Sequence, residues 1–237
     1  MTAEGPDILF SVITPSAGRR PRALALAGAS VAAAAEHARV RAGLDPARVE
    51  WLVGFDGVAG ERPACGLANV GVYVIPRPEG EPGGFGNHVR NALMRAARGR
   101  RLLLLDDDNA LTENALASFL PHLDAELVIG RIDTSRAFPE APALPRPAPA
   151  GADPVADAVR QGNIDPLCLC LARELAYVRC RGWESRGGYE SDFLNIRRYH
   201  LRAKSARRIE DLVGVYDAGR GLDPDGLNPR QQRSARG

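Results

Sequence analysis

The sequence predicts an α/β domain with a mixed, mostly parallel sheet flanked by helices, and three observations carry that prediction. Short apolar runs such as Leu102–Leu105 cannot cross a membrane and suit strands covered on both faces. These runs alternate with alanine-rich or amphipathic stretches in the order strand, helix, strand, strand, helix, strand. The first, second and fourth strands then close on Pro15-Ser16, Asp56-Gly57 and Asp106-Asp107-Asp108, so polar groups collect where open α/β sheets take ligands. With 237 residues, 45% of them hydrophobic, the chain can bury one substantial core, and a single domain over 1–217 is expected.

Ile8–Thr14 is β-rich and ends at Pro15, so it reads as the first strand, followed by a ligand-side loop. Ala23–Arg41 reads as a helix, Val49–Phe55 as the second strand and Val70–Ile75 as the third. Pro76–Gly86 is a loop rich in glycine and proline; its Gly83, Gly84 and Gly86 would let backbone approach a phosphate, with His88 and Arg90 beside them. Asn87–Arg98 places Val89, Leu93 and Ala97 on one helical side and delivers the chain to the Leu102 strand. A helix over Ala115–Leu123 and a strand over Glu126–Ile132 follow.

Phe138–Pro154 is too proline-rich for regular structure and reads as a flexible loop or lid beside a cleft. A short helix over Val155–Gln161, a strand over Asn163–Leu171, a helix over Ala172–Cys180, a helix ending at His200 and a last strand at Leu212–Tyr216 complete the domain. Residues 218–237 are rich in Pro, Gly and Arg and read as a mobile tail.

Composition excludes several functions. The net charge of +2 with 25% charged residues argues against a nucleic-acid partner. No segment is long and apolar enough to span a bilayer, and Met1–Asp7 lacks the basic start of a signal peptide, so a cytoplasmic location is expected. Lys204 is the one lysine, and no Gly-Lys pair exists, which removes P-loop chemistry. Cys65, Cys168, Cys170 and Cys180 lack zinc-type spacing and read as buried thiols. Nothing in the sequence decides for or against a homodimer.

The most informative stretch is Asp106-Asp107-Asp108. Three adjacent carboxylates repel one another unless a cation lies among them, which points to a divalent metal on hard oxygen ligands and, through it, to a phosphate. The plainer reading is an acidic turn before a helix.

Four features in order resemble the family 2 glycosyltransferases of the GT-A fold. They are Phe10-Ser11-Val12-Ile13-Thr14-Pro15 with Arg19; Val53-Gly54-Phe55-Asp56-Gly57; Asn91 ahead of Ala96, Gly99 and the Leu102–Asn109 run with its DxD-type motif; and Gly182-Trp183 followed by Tyr189-Glu190-Ser191-Asp192. The resemblance spans residues 8–216. It departs from the family where Phe55-Asp56 replaces paired aspartates and where the Gln-x-x-Arg-Trp stretch of processive members is absent.

The resemblance implies a metal-dependent, inverting transfer of a sugar from a nucleoside diphosphate, UDP favoured, to an unidentified hydroxyl acceptor. Residues 1–110 would form the donor half and 111–217 the acceptor half. Thr14 and Pro15 would position the base and Asp56 would accept from its imino N–H. Arg90, Asp106 and Asp107 would complete the donor site, with Asp107 near the ribose, and Asp108 would bind Mn2+ or Mg2+. Asp192 would be the general base, with Glu190 orienting the acceptor or substituting for it. Trp183 and Tyr189 would stack on acceptor sugar faces. Tyr216 and Asp217 stand where the family often places a third metal ligand. Two other readings compete: an aspartate-nucleophile phosphohydrolase attacking through Asp106, and a non-catalytic GT-A-like sugar- or nucleotide-binding protein.

Overall fold

A computed structural model of the chain describes residues 7–77, 86–184 and 190–227. In chain order its strands are β1 (Phe10–Ser16), β2 (Val49–Asp56), β3 (Asn69–Ile75), β4 (Arg101–Leu104), β5 (Ala110–Leu111), β6 (Leu127–Asp133), β7 (Ala143–Leu144), β8 (Leu169–Ala172) and β9 (Ala206–Val215). The helices are α1 (Pro21–Ala42), α2 (Asn87–Ala96), α3 (Ala115–Phe119), α4 (Pro154–Ala158) and α5 (Ser191–Arg202), with a π-helical stretch at Glu174–Arg179.

The strands form one mixed sheet in the order β3-β2-β1-β4-β8-β6-β9-β5, with β7 paired to β6. Strands β1, β2, β3 and β4 are mutually parallel, Ile13 lying opposite Leu104 and Ser16 opposite Phe55, so their carboxyl ends share one edge. Every residue of β1, β2 and β4 is buried, as suits strands covered on both faces, the interior polar groups Ser11 and Glu50 being hydrogen-bonded to one another. Strand β8 runs antiparallel to β4 and β6, and β9 runs parallel to β6 with register shifts around Arg131 that bend this half of the sheet.

Helix α1 begins at Pro21, whose missing N–H costs nothing there, and buries a stripe of small residues including Ala23, Ala27, Ala34 and Ala38. Such a stripe lets the helix lie close to the sheet. At Gly28 an added Cβ would come within 2.4 Å of the Trp51 ring, so only glycine fits beneath that indole. Trp51 in turn donates to Thr14 Oγ1 at 2.9 Å. Helix α2 buries Val89, Leu93 and Met94 on the facing side.

Several elements differ from expectation. Asn163–Leu171 is strand only from Leu169, because Pro166 and the Asp165 carboxylate, which accepts from Leu167 N at 2.9 Å, start a single 3-10 turn at Pro166–Cys168. The helix expected over Ala172–Cys180 is the π-helical stretch, and the last strand is ten residues long. Within the proline-rich segment Ala143–Leu144 does form strand, and Thr134 and Asn163 hydrogen-bond that segment at Ala141 and Arg146. The segment expected to begin a mobile tail is anchored over 218–227: Asp223 accepts from the backbone N–H groups of Arg22 at 3.2 Å and Ala23 at 2.8 Å, capping α1 from the far end of the chain. All four cysteines are free, and burial pushes the Cys170 thiol up to about 12. Among the described residues no helix is long and apolar enough to cross a membrane.

Candidate active site

The shared edge of the parallel strands opens into a cleft of about 390 Å3. Pro15, Arg19 and Arg20 line it from the β1 loop, Asp56 from β2, Gly86, Val89 and Arg90 from α2, Asp106, Asp107 and Asp108 from the end of β4, Asp192 from α5, and Tyr216 from the far side. The convergence of Pro15, Asp56 and Asp107 expected from the strand pattern is therefore present, and Asp192 arrives in the same cleft from about 85 residues further along the chain.

The acid triplet divides into three environments. Asp106 is the most accessible, and Arg90 Nη2 holds its Oδ1 at 2.5 Å. Asp107 is buried, accepts from Ser16 Oγ at 2.6 Å, and lies 2.6 Å from Arg20 Nη2. Burial pushes its carboxyl up to about 7 against the pull of Arg20 and Ser16, with the neighbouring acids adding to the rise. Asp108 also pairs with Arg20 and is raised by burial, and Asp106 and Asp217 raise it further. Asp217 is buried in a left-handed turn at φ 61°, and its backbone N–H donates to Asn109 Oδ1 at 2.8 Å. The turn brings a further carboxylate toward Asp108.

On the opposite wall Arg90 is almost wholly buried, with Nη1 3.8 Å from Asp192 Oδ1 and its guanidinium 5.4 Å from the centroid of the Trp183 ring. Asn87 Oδ1 accepts from Trp183 Nε1 at 2.8 Å and faces Arg90 Nη1 and Ser191 Oγ, each at 3.4 Å. Asp192 keeps 40% of its side chain exposed, and burial of the remainder raises its carboxyl, opposed by Arg90 and assisted by Asp106. A carboxylate in that position is open to the cleft and more basic than usual, as proton abstraction requires. Asp165, whose carboxyl is pushed up to about 7 by burial, feels the charges of Asp106, Asp192 and Arg90.

Asp56 lies 3.1 Å from His88 Nε2 and 3.1 Å from Arg77 Nε. Other expected contacts are not made. The Thr14 hydroxyl is buried against the Trp51 indole and cannot reach a base. Trp183 is 2% exposed beneath Arg90, so its ring faces the core and not an acceptor sugar. Glu190 accepts from Gln161 Nε2 at 2.9 Å and does not line the cleft. Arg90 does line the cleft, with its guanidinium on Asp106 and over the Trp183 face. Tyr189, Gly83 and Gly84 lie outside the described residues. Arg20, Asn87 and Asp165 were not singled out from sequence; Arg20 and Asn87 each stand at a helix start on the ligand-side edge, which was the available signal.

The donor chemistry suits a hard divalent cation. Five carboxylates and three guanidiniums line the cleft, so a diphosphate would meet net negative charge unless a cation came with it. Among the described residues no three ligands are already grouped around a metal position, and Arg20 holds Asp107 and Asp108.

No family model and no curated protein matches the sequence. Solved structures do match the fold. The structure of S. aureus TarS 1-349 aligns over 88% of this chain and 60% of that chain with a TM-score of 0.62 at 14% identity. Its complex with UDP-GlcNAc aligns over 88% of this chain and 58% of that one with a TM-score of 0.63 at 14% identity. The mannosyltransferase PcManGT from Pyrobaculum calidifontis, in complex with GDP-Man and Mn2+, aligns over 88% and 56% with a TM-score of 0.52 at 14% identity. The chain thus spans somewhat more than half the length of these neighbours. Their likeness, the mixed curled sheet and the flanking helices identify the architecture of this single domain as the GT-A glycosyltransferase fold.

Proposed function

We propose that the protein is a metal-dependent, inverting glycosyltransferase that moves a sugar from a nucleoside diphosphate, UDP favoured, to a hydroxyl acceptor. One observation carries the reading: Asp56, the acid triplet and Asp192 occupy one cleft at the ends of parallel strands although they come from separate parts of the chain. The neighbours crystallised with UDP-GlcNAc and with GDP-Man and Mn2+ support the donor class.

In this reading Asp56, steadied by His88 and Arg77, accepts a hydrogen bond from the base. Asp107 serves the ribose side. Asp108, with Asp217 nearby, would hold Mn2+ or Mg2+, which supplies charge neutralisation to the departing diphosphate. Asp192 removes the proton from the acceptor hydroxyl as that oxygen bonds to the anomeric carbon and the bond to the diphosphate oxygen breaks on the opposite face. Arg90 holds Asp106 and stands beside Asp192, fixing the spacing between the two halves of the cleft. The phosphohydrolase reading is less well served, because its nucleophile would be Asp106, which is bound to Arg90.

Thermal shift with a panel of nucleoside diphosphates, with and without Mn2+, tests this directly. UDP is expected to raise the melting temperature when Mn2+ is present and much less without it. Equal shifts in both conditions would remove the metal from the proposal, and no shift with any nucleotide would remove the donor. Incubation with UDP-sugars and Mn2+ should release UDP slowly and no inorganic phosphate.

A further inference from the structure

Arg20 spans two members of the acid triplet at once, Nη2 lying 2.6 Å from Asp107 Oδ1 and Nη1 bonding Asp108 Oδ2. A planar guanidinium bridges two carboxylates in a way that a lysine ammonium does not. It therefore stands where the proposed function puts the donor's ribose and a divalent cation.

Its stem is fixed and its head is not enclosed. Pro21 starts α1 directly after it, Asp223 caps the Arg22 and Ala23 N–H groups, and at Gly226 an added Cβ would come within 2.5 Å of both Arg19 O and Arg20 Cγ. The Arg20 side chain nonetheless keeps 20% of its surface exposed, and the residue lines two cavities. The second cavity, of about 540 Å3, lies between Leu24, Phe55, Gly60 and Arg62 and also borders Arg20.

We propose that Arg20 is the resident cation of the acid triplet, which a divalent metal must displace from Asp108 and which then pairs with the diphosphate of the incoming nucleotide. The inference rests on the metal-dependent reading above. It makes metal and nucleotide mutually dependent, because metal alone competes with an internal positive charge, whereas a diphosphate gives the released guanidinium a new partner.

Calorimetry with MnCl2, alone and in the presence of UDP, on the wild type, Arg20→Gln and Arg20→Lys tests it. The wild type should take up Mn2+ at least about tenfold more tightly with UDP than without. Arg20→Gln should bind Mn2+ alone at least about tenfold more tightly than the wild type while binding UDP more weakly, and Arg20→Lys should fall between. If Arg20→Gln binds Mn2+ no more tightly than the wild type, while the wild type takes up Mn2+ with UDP, the inference is overturned and the metal-dependent reading stands. If the wild type takes up no Mn2+ even with UDP, that reading falls and the inference with it. Because glutamine leaves two acids uncompensated, Asp107→Asn and Arg20→Gln/Asp107→Asn repeat the comparison with one charge fewer, and equal Mn2+ affinity in this pair likewise overturns the inference.

Discussion

Trp183 Nε1 donates to Asn87 Oδ1 at 2.8 Å, tying the Gly182-Trp183 pair to the first residue of α2. The indole is thereby held under Arg90, out of reach of a sugar. Trp183→Phe should lower stability by about 1 kcal/mol through the lost hydrogen bond and leave acceptor KM within about twofold. A large KM rise at unchanged stability, read by acceptor titration and thermal melts, would return the ring to the cleft.

Asp108 and Asp192 should separate donor binding from transfer. Asp108→Ala is expected to abolish the Mn2+-dependent part of UDP binding. Asp192→Asn should keep UDP affinity and reduce kcat by about 10²–10⁴-fold, the usual contribution of a general base. Equal loss of UDP affinity in both, measured by calorimetry, would place Asp192 in the donor site.

The pH dependence of stability should carry a contribution from Asp165. Its folded value of about 7 lies above that of an ordinary carboxylate, so its contribution to stability is fully present below about pH 4 and is lost as pH rises through 7. Asp165→Asn keeps an oxygen for the Leu167 N–H and removes the buried charge. Relative to the wild type, the variant should gain about 2–4 °C or more in melting temperature at pH 8 and little at pH 4. A constant difference across that range would show that the carboxylate is not held away from water.

Gly28→Ala tests the packing beneath α1. Helix propensity alone favours alanine by about 1 kcal/mol. The added methyl, however, would lie 2.4 Å from the Trp51 ring, and overpacking of this kind costs about 1–3 kcal/mol or more. A net loss of stability in denaturant melts is expected, and a gain would mean that the indole yields easily.

The parallel half of the sheet was legible because its strands are short, mostly apolar runs ending in proline, aspartate or glycine, and that pattern survives without tertiary information. The cleft lining at Pro15, Asp56 and Asp107 followed from those same ends, whereas Asp192, on α5, was indicated only by the family resemblance. What escaped were choices made by packing. Whether the Thr14 hydroxyl faces a ligand or the Trp51 indole, and whether Trp183 lies in a cleft or under a guanidinium, depends on partners dozens of residues away. Arg20 and Arg19 are adjacent and chemically identical; only the direction in which the chain enters α1 decides which one reaches the acids. At Asn163–Leu171 a local rule won over the apolar run, because Asp165 and Pro166 together form a helix-type cap ahead of the strand.

The Asp223 cap has a consequence for how the domain is made. Two of the first amides of α1 find their acceptor 200 residues downstream, so during synthesis the ribosome exposes that helix start long before its partner emerges. Until then the base of Arg20 hangs from an unfinished turn. The start of α1 should therefore be completed late in a nascent chain, and amide exchange at Arg22 and Ala23 in a protein shortened before residue 223 would show that delay as lost protection.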